Sequence, residues 1–197
     1  MKQRFLNSTI SFLKSQQSFD LKDEKKLLYG LEGIYLTITK LIVIIGIALI
    51  LGILKEVLIV MILFNVIRYF GFGFHAEKSS ECLFLSIINF VLIPFFFIKV
   101  DISLSTSLII SGACIVSFLI FAPADTVKRP LKDKKKRLIR KILTVTTGLV
   151  YTGIMLFFNN QYISSLVVSS LLIMAIVISP ITYKIFRQPY NNYKNIK

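Results

Sequence analysis

The chain has 197 residues, of which 55% are hydrophobic and 17% charged, with a mean hydropathy of +0.73. Soluble domains carry about 25% charge, so this composition excludes a disordered chain and argues against a water-soluble globule. The 24 Lys and Arg against 10 Asp and Glu give a net charge of +14, but most basic residues flank apolar stretches. Membrane topology and anionic lipid headgroups account for them, and nucleic acid is not a predicted partner. The two cysteines, Cys82 and Cys114, have neither metal-ligand nor CxxC spacing, which excludes a disulfide framework and predicts no metal site.

Residues 1–30 are mixed rather than apolar and carry Lys2, Arg4, Lys14, Lys22, Lys25 and Lys26. Phe5, Leu6, Ile10 and Leu13 recur at helical spacing, which predicts an amphipathic interfacial segment with its apolar face in the headgroup layer. Its apolar stretch is too interrupted for a cleavable signal peptide, so the segment is expected to stay on the mature protein. Six apolar stretches follow, at 33–54, 57–74, 82–98, 102–122, 142–158 and 163–186. Each is near the ~20 residues that cross a bilayer as helix. The expected fold is all-α, a polytopic helical membrane protein of about six apolar helices forming one integral-membrane domain over 1–197. The second and third stretches are short, so four spanning helices with a re-entrant or short pair is the alternative.

Lys and Arg alternate along the connectors. The 123–141 segment holds nine, namely Lys128, Arg129, Lys132, Lys134, Lys135, Lys136, Arg137, Arg140 and Lys141, whereas 159–162 holds none. The positive-inside rule then puts both termini, the loop after residue 74 and the basic 123–141 loop on the cytoplasmic side. Cys114, in Ser111-Gly-Ala-Cys, reads as a small packing residue in a close helix contact. Lys40 is costly within its apolar stretch unless it reaches an interface or a partner, and Pro94 and Pro180 are expected to kink or shorten their helices.

The segment Arg68-Tyr-Phe-Gly-Phe-Gly-Phe-His75-Ala-Glu-Lys-Ser-Ser-Glu-Cys82 holds the sole histidine and one of the two cysteines. On one straight helix the two would lie ~10 Å apart along the axis, beyond hydrogen-bonding reach. Gly71, Gly73 and the polar run 77–81 predict a break between two helices instead. With Ser79 or Ser80 as cap, Cys82 falls in the first helical turn, where free backbone N–H groups and the helix dipole favour negative charge. A neighbouring imidazole would complete a Cys/His pair, the thiolate as nucleophile and His75 as base and then acid. Glu77 and Glu81 are both candidates to orient the imidazole. The plainer reading is a small Cys and a lone His packed at a membrane boundary.

Arg68, Gly73, His75-Ala76 and Cys82, followed by Ala122-Pro123-Ala124-Asp125-Thr126 and Lys128-Arg129-Pro130-Leu131, resemble the accessory gene regulator B (AgrB) family of bacterial quorum-sensing peptide processors. The resemblance covers most of the chain, since span count, spacing and basic loop all fit. One departure is that the family usually has paired glycines before the aromatic residue and His, whereas Phe72 here separates Gly71 from Gly73.

The resemblance implies a cysteine endopeptidase of the bacterial cell membrane that needs no cofactor. Its substrate would be a small AgrD-type precursor peptide. Cys82, helped by His75, would cleave off the acidic C-terminal part and hold the signal portion as a thioester. An internal Cys or Ser of the precursor would then close a thiolactone or lactone ring. Arg68 matches a position important for processing, and Arg68, Gly73, Glu77 and Glu81 are the candidates to shape the site. Lys128, Arg129, Lys132, Lys134, Lys135, Lys136 and Arg137 would hold the acidic tail electrostatically. Anionic lipid is a further expected partner, and family members act as homodimers. A peptide exporter, or a non-catalytic membrane docking protein, is the alternative function.

Overall fold

The computed structural model describes residues 2–16, 20–74, 76, 78–126 and 130–194. The chain divides into two compact units, Met1–Ile47 and Ala48–Lys197.

The first unit holds α1 (Lys2–Gln16) and most of α2 (Leu21–Ile50). The predicted amphipathic segment is helical, with Leu6 buried and Ile10 and Leu13 half-buried on one face. The helix folds back on α2: the Phe5 and Tyr35 rings lie 5.4 Å apart, and Lys14 pairs with Glu24 at 2.7 Å. Helix α2 begins twelve residues before the predicted apolar stretch at 33. Residues 21–32 are charged but strong helix formers, so helicity outruns hydropathy there.

The second unit contains α3 (Leu54–Gly71), then a continuous helical run made of α4 (Ser79–Ile87), a π turn (Ile88–Leu92) and α5 (Ile93–Lys99). After these come α6 (Leu104–Phe121), α7 (Lys134–Phe158), α8 (Gln161–Ile178) and the short α9 (Pro180–Ile185). Among the described residues, five helices are long and apolar enough to cross a membrane: Lys22–Ile50, Ser79–Lys99, Leu104–Phe121, Lys134–Phe158 and Gln161–Ile178. The remaining apolar stretch, 57–74, is α3, whose 18 residues reach ~27 Å with Lys55 and Glu56 at one end and Arg68 at the other. The expectation of an all-α polytopic protein with about six apolar helices is met.

Helix α8 is the centre of this unit and packs against α3, α5, α6 and α7. Its buried face contains Ser164, Ser165, Ser169 and Ser170, small residues that admit close helix approach. None of the four hydroxyls is left unpaired, since each donates to a backbone carbonyl, Ser165 across the interface to Phe97 at 2.8 Å. Tyr151 likewise reaches from α7 to the Leu63 carbonyl of α3 at 3.0 Å. Ser111 and Cys114 are buried on one face of α6, as a packing role requires, whereas Gly112 has open space beside it. The close approach of α6 and α7 is made instead at Gly148, where a Cβ would sit 3.2 Å from the Phe118 ring.

Three local features correct the reading from sequence. The 123–141 segment is a loop only as far as Asp133, whose carboxylate accepts from the Lys135 and Lys136 amides and starts α7 at Lys134; the basic residues after it occupy the first helical turns. Pro94 follows the π turn, which accommodates the missing N–H and the ring's clash with the preceding turn without ending the helix. The last apolar stretch is two helices, since Ser179 caps α9 and Pro180 occupies its first position.

The α3–α4 connector, the α6–α7 connector and the C-terminal tail lie together at one end of this unit. The other end gathers Glu56, Asp101 and the α7–α8 turn, linked by Tyr162 to Glu56 at 3.1 Å and Gln161 to Asp101 at 2.6 Å. This is the grouping of connectors that alternating spans require.

Candidate functional site

The site lies where α3 stops and α4 begins. The last backbone bond of α3 runs from the Phe72 amide to the Arg68 carbonyl at 2.9 Å, and Phe72 itself takes φ +59°. This left-handed conformation is uncommon for a residue with a bulky side chain. Gly73 follows at φ +108°, and a Cβ there would lie 2.6 Å from Val177 Cγ1. Glycine is required at 73 by both backbone and space. At Gly71 a Cβ would run into Met174 and sit 3.1 Å from Thr144. The Gly71-Phe72-Gly73 arrangement therefore puts its two glycines at the two positions where α7 and α8 press closest.

The chain then crosses the α6–α7 connector in a two-bond bridge. Gly73 N–H donates to Ala124 O at 2.9 Å and Ala124 N–H to Gly71 O at 3.0 Å, while Phe74 N–H donates to Val177 O at 2.9 Å at the end of α8. The Arg68 guanidinium donates through Nη2 to Phe74 O at 3.0 Å and lies 5.4 Å from the Phe64 ring. It also stands within Coulombic reach of Cys82 and Tyr183. The carbonyl immediately before His75 is thus held by a cation from the last turn of α3.

Cys82 is half-buried in the first turn of α4, as predicted, with its amide already bonded to Lys78 O at 3.0 Å. The capping position is Lys78 rather than Ser79 or Ser80, and it supplies no side-chain acceptor. The free amides belong to the residues before Cys82. Glu81 pairs with Lys78 at 3.4 Å, not with Arg68. His75, Glu77, Lys128 and Arg129 lie outside the described residues.

The predicted basic residues divide into two groups. Lys132, Lys134, Lys135 and Lys136 are exposed. Arg137, Arg140 and Lys141, at i, i+3 and i+4 on one face of α7, turn inward to backbone carbonyls. Arg140 donates to Tyr69 O at 2.8 Å and its guanidinium sits 4.3 Å from the Phe72 ring; Lys141 donates to Leu119 O at 2.8 Å; Arg137 donates to Pro123 O at 3.3 Å. Tyr69 and Leu119 lie near the C-terminal ends of α3 and α6, where unpaired carbonyls and the dipole attract cations.

Asp125, in the Ala122-Pro123-Ala124-Asp125-Thr126 motif, organises the α6–α7 connector. Its fully buried carboxylate accepts from Tyr193 N–H at 2.9 Å and Leu131 N–H at 3.3 Å, and Oδ2 lies 3.6 Å from Arg137 Nη1. Tyr183 donates to the carbonyls of Ala124 and Asp125, Asn192 donates to Asp125 O, and Tyr193 stacks on Arg137 at 3.6 Å. Burial raises the Tyr190 phenol above its ordinary range, so it remains a neutral donor, to Phe121 O at 3.4 Å. The tail thereby clamps the 122–125 segment, which is bridged at Ala124 to the segment leading to His75. The available sequence signal was an acid standing among nine cations.

The family model for accessory gene regulator B matches residues 6–178. The chain belongs to the accessory gene regulator B family. Among its relatives is a putative AgrB-like protein of Listeria monocytogenes serotype 4a (strain HCC23), 36% identical over 174 residues that cover 86% of this chain and 83% of the relative. A putative AgrB-like protein of Clostridium acetobutylicum is 31% identical over 170 residues, covering 85% and 80%. The accessory gene regulator protein B of Staphylococcus saprophyticus is 30% identical over 173 residues, covering 87% and 89%. No solved structure matches. Membership in the accessory gene regulator B family, together with the apolar helices, makes this a helical membrane protein of the accessory gene regulator system. The matched region contains α3, α4, the bridge at Ala124 and the inward cations of α7.

Proposed function

We propose that this chain is a membrane-embedded cysteine endopeptidase that trims an AgrD-type precursor peptide and cyclises the product for quorum sensing. His75 takes the Cys82 proton, and the thiolate attacks the scissile carbonyl. The C–N bond breaks, the imidazolium gives its proton to the leaving amine, and the signal portion remains as a Cys82 thioester. An internal Cys or Ser of the precursor then attacks this thioester. Its proton passes to His75, the ring closes as thiolactone or lactone, and Cys82 leaves as thiolate. Acyl activation is carried through the thioester, so closure requires no ATP, while exclusion of water protects the intermediate.

The observation that carries this reading is the placement of Arg68. One side chain from the last turn of α3 holds the Phe74 carbonyl, next to His75, in the short connector that ends at Cys82 in the first turn of α4. Lys132, Lys134, Lys135 and Lys136, exposed at the same end of the unit, supply with Lys128 and Arg129 a surface for the acidic tail of the precursor. Arg137 instead holds Asp125. The excess of Lys and Arg at this end supports a cytoplasmic active site.

Incubation of the purified protein with precursor tests the reading. Cys82→Ala abolishes cleavage and Cys114→Ala retains it. Transport of peptide with no cleavage by either form would favour an exporter.

A further inference from the structure

A second site stands at the same end, between α6 and α7, and is not used by the peptide chemistry. It is a cavity of about 480 Å³ whose lining includes Ile120, Phe121, Arg137, Leu138, Lys141 and Tyr190. Its polar wall is cationic. Arg137 Nη1 is buried behind this wall, with no hydrogen-bond partner among the described residues, so it contributes charge to the cavity rather than an open donor. Lys141 gives one proton to Leu119 O and has two more to donate. Asp125, 3.6 Å from Arg137, offsets one of the two positive charges, which leaves the cavity with an excess of one.

The other wall is apolar and continues onto bilayer-facing surface. Ile120 is 62% and Leu138 58% exposed, and next to them Leu119 and Ile142 are 50% and 54% exposed. These four side chains lie where the apolar lengths of α6 and α7 give way to the basic end. A ligand matching both walls carries an anionic oxygen-rich head and a long apolar tail. An acidic peptide satisfies the cations but leaves the apolar wall unmatched. Basic pockets between membrane helices take anionic lipid headgroups for this reason.

We infer that this cavity binds the phosphate headgroup of an anionic membrane phospholipid, with its acyl chains laid along the exposed faces of α6 and α7. Lys141 donates to the phosphate oxygens, Arg137 adds positive charge behind it, and Ile120 and Leu138 contact the first methylenes. The excess positive charge selects anionic over zwitterionic lipid.

The test uses the full chain, purified in detergent and stripped of lipid, and needs no peptide substrate, so it stands apart from the peptidase reading. Phosphatidylglycerol or phosphatidylcholine of the same acyl composition is added, and retained lipid is counted by native mass spectrometry alongside the thermal unfolding midpoint. Phosphatidylglycerol should be retained at one molecule per chain and raise the midpoint, and phosphatidylcholine should do neither. Lys141→Gln should weaken retention roughly tenfold, as expected for one lost charge-assisted bond. Lys184→Gln, an equal charge loss away from the cavity, should leave retention unchanged. Should Lys141→Gln fail to fold, Leu138→Asp, which places an acid on the apolar rim, must lower retention by at least as much. Equal retention of the two lipids, or unchanged retention in Lys141→Gln, overturns the assignment. Stabilisation by inorganic phosphate alone equal to that by phosphatidylglycerol would make it a free-anion site. Displacement of the lipid by one equivalent of an acidic peptide would make it a peptide site.

Discussion

Arg68 Nη2 donates to the carbonyl oxygen of Phe74 at 3.0 Å, so a cation from the last turn of α3 fixes the backbone immediately before His75. Replacing Arg68 by Gln removes the charge, and Lys retains the charge but loses the planar fork. Precursor cleavage should fall about 10- to 100-fold in Arg68→Gln, as expected when a charged hydrogen bond is lost. Arg68→Lys should retain several-fold more activity than Arg68→Gln. Equal activity in all three forms would remove Arg68 from the site.

Gly73 combines φ +108° with a Cβ position 2.6 Å from Val177 Cγ1. Gly73→Ala should cost about 2 kcal/mol or more in stability, seen as a lower unfolding midpoint in detergent. Val177→Ala removes the Cγ1 contact but not the Val177 carbonyl oxygen at 3.2 Å, so it should cost less stability in the Gly73→Ala background than in the wild type; equal costs in both would mean that Cγ1 is not the obstacle.

The buried Asp125 and Arg137 compensate one another. Asp125→Ala should destabilise by about 3 kcal/mol, because it leaves a guanidinium uncompensated. Asp125→Asn, which keeps an oxygen for the Leu131 and Tyr193 amides, should cost less. A double-mutant cycle of Asp125→Ala with Arg137→Gln should show coupling of about 1 kcal/mol or more; additive effects would mean that the two side chains act independently.

Cys114 is buried on α6. Cys114→Ala should lower the unfolding midpoint slightly, by roughly 1 kcal/mol of lost packing, and leave cleavage within twofold of wild type. Loss of cleavage there would move the nucleophile away from Cys82.

The six apolar helices were legible because a bilayer imposes a length and hydropathy that survive in the residues themselves. Their ends were less so. Hydropathy begins at 142 in α7, but the helix begins at Lys134, since Lys and Arg favour helix while adding nothing apolar. Treating 134–141 as loop concealed the helical spacing that turns Arg137, Arg140 and Lys141 inward and leaves Lys134, Lys135 and Lys136 outside. The first-turn position of Cys82 was readable from the polar run before it, but the cap was shifted by one or two residues, to Lys78. The Asp125 clamp was not readable. Its partners Leu131 and Tyr193 lie 6 and 68 residues away, and contacts made by a tail returning to a loop leave no periodic trace. Arg68 was visible as a charged residue inside an apolar stretch. Its actual acceptor, a backbone carbonyl six residues on, is a group that every residue has and no sequence pattern marks.

The central claim is that Cys82 carries the acyl group. Purified protein mixed with precursor and quenched within one turnover should show, by intact-protein mass spectrometry, an added mass equal to the precursor less its C-terminal fragment. Peptide mapping should place that mass on Cys82, and hydroxylamine should release it, as it does a thioester. Cleavage that proceeds at the wild-type rate in Cys82→Ser, with no hydroxylamine-sensitive adduct at any time, would contradict the account.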